Sequence, residues 1–121
     1  MGLPKVHRLH KRQDYRAVYD LGIRRYSPYL TLVALLQNRD TTSACPTMFG
    51  ISISKKVSKK AVVRNRIKRQ IKGAIRANLQ AIAPGWKVVI VVKPKAIECK
   101  YEHFLRELEE LLKQTKIING Y

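Results

Sequence analysis

Not one aspartate or glutamate occurs between Lys55 and Arg76, a span that holds ten lysines and arginines. Acids are scarce throughout: 8 against 25 bases in 121 residues, with three histidines, for a formal net charge of +17. A protein nuclease working alone needs clustered carboxylates for metal ions, or a histidine paired with a partner base. His7, His10 and His103 and the few acids of the basic portion make no such set, which argues against a catalytic centre or a metal site in this chain. Cysteine is equally sparse. Cys45 and Cys99 lie far apart with no C-x-x-C spacing, so neither zinc nor a disulfide framework is indicated, and two isolated thiols suit a reducing cytoplasm. The longest aliphatic run, Val88 to Val92, is far too short to span a bilayer, and no apolar segment follows the N-terminal charges at Lys5, Arg8, Lys11 and Arg12. The expectation is a soluble cytoplasmic protein with no membrane partner, no obligatory protein partner and no cofactor of its own.

Hydrophobic residues make up 45% of the chain, enough for a folded domain rather than a basic tail, and the length suits one domain spanning 1–121. Its charge is lopsided. Residues 1–76 carry 18 bases and 3 acids, whereas 77–121 carry 7 and 5. The centre of this asymmetry is the stretch GISISKKVSKKAVVRNRIKRQIKGAIR at 50–76. Ile51 and Ile53 alternate with Ser52 and Ser54, the period-two pattern of a half-buried strand, and from Ala61 onward Val63, Ile67, Ile71, Ala74 and Ile75 recur at helical spacing. Asn65, Arg66, Lys68, Arg69, Lys72 and Arg76 fall on the opposite arc. Like charges four residues apart destabilise an isolated helix by a few tenths of a kcal/mol per pair, so this ladder makes most sense against a polyanion. Arg64, Arg66 and Arg69 bring planar forks suited to phosphate. Lys55, Lys56, Lys59 and Lys60 sit at the strand-to-helix junction, where free amides also favour phosphate, with Ser58 as a candidate N-cap.

Taken in order, Met1 to His10 reads as a loosely ordered basic arm. Lys11 to Leu21 reads as a helix with Tyr15, Val18 and Tyr19 on one face, and Gly22 suits a left-handed helix end. The two tyrosines, flanked by Arg12 and Arg16, fit either ordinary core packing or a platform on which unpaired bases stack. Tyr29 to Leu36 and Thr47 to Ser54 read as strands joined by a polar loop at 37–46, most simply an antiparallel hairpin. Trp86 to Val92 is a strand buried on both faces. Tyr101 to Lys116 is a covering helix with Phe104, Leu105, Leu108, Leu111 and Leu112 inward and Glu102, Glu107, Glu109 and Glu110 toward water. Pattern alone gives an α+β two-layer sandwich of order αββαβα, a mostly antiparallel sheet with helices packed on it.

The segment SISKKVSKKAVVRNRIKR at 52–69, with its central Arg64, Asn65 and Arg66, closely resembles the signature of the bacterial ribonuclease P protein subunit. The likeness extends upstream. Arg8, Leu9, Lys11, Asp14, Tyr15, Val18, Tyr19 and Gly22 match the family pattern R-L-x-K-x-x-D-[FY]-x-x-V-[FY]-x-x-G. The resemblance implies a fold similar to the second domain of a ribosomal small-subunit protein, with a left-handed crossover around the basic helix, against the general preference for right-handed connections. It implies a ribonucleoprotein endonuclease in which a catalytic RNA supplies the active site and its Mg2+, while this chain aids cleavage of precursor tRNA through binding. The basic set Lys55, Lys56, Lys59, Lys60, Arg64, Asn65, Arg66, Lys68, Arg69 and Lys72 would dock on the catalytic RNA. Tyr15 and Tyr19, with Arg12, Arg16 and Lys93, would receive the single-stranded 5′ leader. A structural RNA-binding protein of ribosomal type is the competing reading. A polybasic membrane-surface protein fits less well, because the basic helix lacks Trp or Phe anchors.

Overall fold

A computed structural model describes residues 3–36 and 46–117. Arg39 and Cys45 of the polar loop lie outside the described residues. Seven main elements follow one another: α1 (Arg12–Leu21), β1 (Ile23–Tyr26), β2 (Leu30–Leu36), β3 (Met48–Ser52), α2 (Ala61–Asn78), β4 (Trp86–Val92) and α3 (Tyr101–Gln114). The sheet order is β1-β2-β4-β3. The first two pairings are antiparallel and β3 runs parallel to β4. The fold is therefore the expected α+β arrangement with a mostly antiparallel sheet, plus one more strand, β1, which the sequence pattern leaves as a link. The expected hairpin does not form: β4 inserts between β2 and β3, which are not hydrogen-bonded neighbours.

This insertion explains why WKVVIVV has so little polarity. As a central strand, β4 buries both faces. Val88, Ile90 and Val92 point to one side with Leu30, Leu32, Ala34 and Phe49, where Ile67, Ile71, Ala74 and Ile75 of α2 and Phe104, Leu108, Leu111 and Leu112 of α3 close the main core. Val89 and Val33 point to the other side and meet Val18 of α1 together with Leu9. The α2–α3 layer on the sheet is the expected sandwich, and α1 adds a partial layer on the opposite face. Cys99 is buried in the main core, and its thiol is held above its ordinary range by that burial first and by Glu107 and Glu98 second.

Three local expectations give way to different physics. Residues 3–10 are tied down rather than loose. Leu3 is buried, Arg8 bridges Phe49 in parallel, the Leu9 amide donates to the Phe49 carbonyl at 2.8 Å, and His7 Nδ1 lies 2.8 Å from the Thr47 carbonyl oxygen. Ser58 is not the N-cap of α2; Lys60 holds that position, and Ser58 Oγ accepts the Lys60 amide at 3.2 Å. Gly22 is extended, not left-handed, with φ −75° and ψ 157°. Glycine is needed there for space: a Cβ would lie 2.5 Å from the Val18 carbonyl oxygen and 2.9 Å from Val33 Cγ1.

Two features of α3 depart from a plain covering helix. His103 Nδ1 accepts the Lys100 amide at 3.0 Å, so an imidazole at the third helical position reaches back to the N-cap amide as Glu or Gln does in a capping box. Glu107, expected in water, accepts from Ser27 Oγ and from the Tyr29 amide at 3.2 Å, and so secures the β1–β2 turn.

Replacing Gly22 by Ala therefore pushes α1 off β2. Urea unfolding is expected to show a loss of about 1–3 kcal/mol, the usual range for overpacking; an unchanged midpoint would mean that the α1–β1 corner relaxes without resistance.

Candidate nucleic-acid interface

Strand alternation and register place the side chains of the α1 face in rows. One row crosses Leu35, Lys87 and Met48; the next crosses Arg24, Val33, Val89 and Gly50; a third crosses Tyr26, Thr31, Val91 and Ser52. The polar and close contacts of α1 fall on the first two. Asp14 pairs with Lys87 at 2.8 Å. The Tyr15 ring lies against Gly50, where a Cβ would approach Cζ to 2.6 Å and Cε1 to 2.7 Å. Arg24 donates from Nη2 to the Tyr19 carbonyl at 3.0 Å, and its guanidinium lies 6.0 Å from the centroid of the Tyr19 ring. The third row keeps more solvent contact: Val91 and Ser52 are half-buried and Tyr26 is 63% exposed. Beyond it, Lys93 Nζ donates to the Ser27 carbonyl at 2.6 Å and stands 5.6 Å from the Tyr26 ring centroid.

Tyr15 and Tyr19 are each half-buried. Each packs against the cluster of Leu9, Val18, Val33 and Val89 and keeps part of its ring in solvent. The Tyr15 hydroxyl donates to the Leu9 carbonyl at 3.1 Å, and its pKa is raised, mainly by burial and next by Tyr19. The phenol therefore stays a donor well above neutral pH, and this bond fixes the ring plane over Gly50. Arg12 and Arg16 take a different place. They are exposed and, with Gln13, Ala17 and Asp20, line a shallow hollow on α1 rather than the sheet rows.

The basic face of α2 forms as the periodicity requires. Asn65, Arg66, Arg69 and Arg76 are exposed, while Lys68 and Lys72 are half-buried. Val57, 5% exposed, pins the lysine loop to the core, and the flanking turns use Ser54 Oγ, which accepts the Lys56 amide, and Ser58 Oγ. Lys55, Lys56, Lys59 and Lys60 are left exposed around an α2 N-terminus that has no side-chain cap. Arg64 bends back, donating from Nη1 to the Ser58 carbonyl at 2.8 Å, so it braces the loop as well as carrying charge. Arg66 makes only a long contact, 3.4 Å, with the Ile97 carbonyl oxygen. Lys68 and Lys72 turn toward the β3 edge, where they line a cleft of about 180 Å³ with Arg8, Tyr15 and Gly50. The two surfaces that the sequence reading separates are thus joined along one seam. Among the described residues, no group of three or more His, Cys, Asp or Glu is placed to hold a metal ion, and no helix is long and apolar enough to cross a membrane.

The family model described as Ribonuclease P matches residues 3–116. This chain belongs to the ribonuclease P protein family. The ribonuclease P protein component of Microcystis aeruginosa is 56% identical over 121 residues, covering all of both chains. That of Rippkaea orientalis is 57% identical, covering 100% of this chain and 95% of its own. The structure of the Staphylococcus aureus RNase P protein superposes with a TM-score of 0.81 at 25% identity, covering 95% of this chain and all of that one. Membership carries the role of ribonuclease P, tRNA 5′-leader processing by an endoribonuclease that includes an RNA subunit.

Sequence reasoning missed Arg24, Tyr26, Lys87 and Glu107. Arg24 and Tyr26 share a face, as residues two apart on a short strand do, but β1 itself shows no alternation in the sequence. The Asp14–Lys87 pair and the Glu107 contacts, spanning 73 and 78 or more residues, leave no local mark.

Tyr15→Phe keeps the ring and deletes the donor to Leu9. Stability is expected to fall by about 0.5–1.5 kcal/mol in urea unfolding; no loss would show that water replaces the phenol at that carbonyl.

Proposed function

We propose that this chain binds the catalytic RNA of ribonuclease P through the α2 face and its lysine loop, and holds the 5′ leader of precursor tRNA along the α1 side of the sheet. The observation that carries this reading is a division of labour on one rigid sheet in a member of that family. An acid-free cationic helix packs on one face; on the other lie the half-buried rings of Tyr15 and Tyr19, with Arg24 beside Tyr19 and Lys93 beside Tyr26 at the β1 edge. Phosphate neutralisation offsets the mutual repulsion of the α2 bases. Unpaired leader bases stack on aromatic faces, with cations tracking the backbone. Lys68 and Lys72, at the seam, would feel both RNAs. Magnesium and the bond-breaking step belong to the RNA subunit in this reading, in a cytoplasmic ribonucleoprotein; the chain orients and neutralises.

The deciding experiment is cleavage of precursor tRNA at low magnesium by the cognate RNA with and without this protein. Rescue of cleavage at the mature 5′ end, with no activity from the protein alone, is expected. Binding without stimulation would overturn the reading in favour of a structural RNA-binding protein.

Two sets of variants separate the surfaces. Arg66→Ala with Arg69→Ala is expected to weaken RNA-subunit binding and to flatten its dependence on log salt by about 0.7–0.9 per lost phosphate contact. Tyr15→Ala with Tyr19→Ala is expected to leave that slope alone and to reduce the preference for leader-bearing over leaderless tRNA; an intact preference would remove the leader from this cleft.

A further inference from the structure

Tyr26 ends the edge strand β1, on the same face as α1, because the register sets it in line with Thr31, Val91 and Ser52. A single exposed tyrosine needs no explanation. This one is distinguished by what holds the cation beside it. Lys93 Nζ, 5.6 Å from the ring centroid, is fixed by the Ser27 carbonyl at 2.6 Å, and the turn carrying Ser27 is in turn secured by the Glu107 carboxylate through Ser27 Oγ and the Tyr29 amide. Ordering a lysine this way costs rotamer entropy. The result is an ammonium standing at the ring while the side chain of Tyr26 stays 63% open to solvent.

We propose that Tyr26 and Lys93 form a further base-stacking station of the leader cleft, in which an unpaired leader base lies on the open side of the Tyr26 ring and the adjoining phosphate meets the Lys93 ammonium. This rests on the leader-cleft reading above and extends it to the sheet edge. Arg24, two residues earlier and on the same face, makes the same kind of pair with Tyr19, its guanidinium 6.0 Å from that ring's centroid. Two residues of strand span roughly 7 Å. Aromatic and cation therefore recur in step from Tyr19 and Arg24 to Tyr26 and Lys93, which gives a single strand a path off the sheet at β1. A base stacked on a ring already facing a cation gains from both contacts.

The test uses holoenzyme reconstituted from the cognate RNA and the full chain, with equilibrium binding of precursor tRNAs whose leaders are shortened one nucleotide at a time or carry one abasic residue at each position in turn. Tyr26→Ala is expected to lose about 5- to 150-fold in affinity for long leaders and nothing for leaderless tRNA. Tyr26→Phe is expected to bind as the parent does, and one abasic position in the parent should reproduce the loss and add nothing to it in Tyr26→Ala. Parent-like binding of every leader by Tyr26→Ala, or an equal loss with leaderless tRNA, would overturn the proposal. Tyr15→Ala with Tyr19→Ala, measured alongside, separates the causes. If that variant loses leader preference while Tyr26→Ala does not, the edge station alone fails; if neither loses it, the leader-cleft reading fails with it.

Discussion

The seating of the Tyr15 ring on Gly50 sets how closely α1 lies on the sheet. Any larger residue at position 50 would meet the ring, and the ring has little room to turn because its hydroxyl is bonded to the Leu9 carbonyl. From this contact follow the burial of Val18 against Val33 and Val89, the reach of Asp14 to Lys87, and the placing of Tyr19 beside Arg24. The same contact closes one wall of the cleft that Lys68 and Lys72 line from the other side. A glycine on a strand weakens that strand on its own account. Here it admits an aromatic ring, and the cleft depends on that admission.

The distribution of charge follows from the core rather than from charge itself. The face of α2 that carries Ile67, Ile71, Ala74 and Ile75 is consumed by the sheet and α3, so the bases between those residues have no direction but outward. Where a base does turn inward it finds a fixed oxygen: Arg64 the Ser58 carbonyl, Lys93 the Ser27 carbonyl, Lys87 the Asp14 carboxylate. The exposed remainder repels itself in the free protein and gains most where a polyanion supplies the missing counter-charge.

Periodicity made the helices legible. The apolar residues of α2 and α3 recur at spacings that leave one choice of face, and β4 ends where its aliphatic run ends. Pairing was not legible to the same degree, because a strand carries the mark of its own burial but not of its neighbour's identity. Hence β2 and β3 look like a hairpin, and only the two-sided burial of WKVVIVV hints that β4 belongs between them. The strand β1 was hidden for the opposite reason. All four of its residues are exposed, so IRRY shows no alternation, and with it went Arg24 and Tyr26. Gly22 was read for its backbone freedom when the constraint was volume, set by the Val18 carbonyl and by Val33 and Ala34 of β2, and the β2 contacts cannot be seen in the local sequence. The RNR segment needed no fold to be noticed, yet the different duties of Arg64 and Arg66 came only with the Ser58 carbonyl in view.

The place of β4 has a bearing on synthesis. It is the one strand hydrogen-bonded to both β2 and β3, and it follows α2 in the chain. Until it emerges, the β1–β2 pair and β3 have no common partner, and the apolar side of α2 has no complete surface to cover. Non-local pairing of this kind is slow to form, since the intervening chain must be ordered before the contact rewards it. During that interval a nascent polycation with an unfinished sheet is held close to the ribosome, itself a dense array of phosphate. A chain folding at that site would have phosphate at hand to screen the repulsion of its basic segment before the sheet closes.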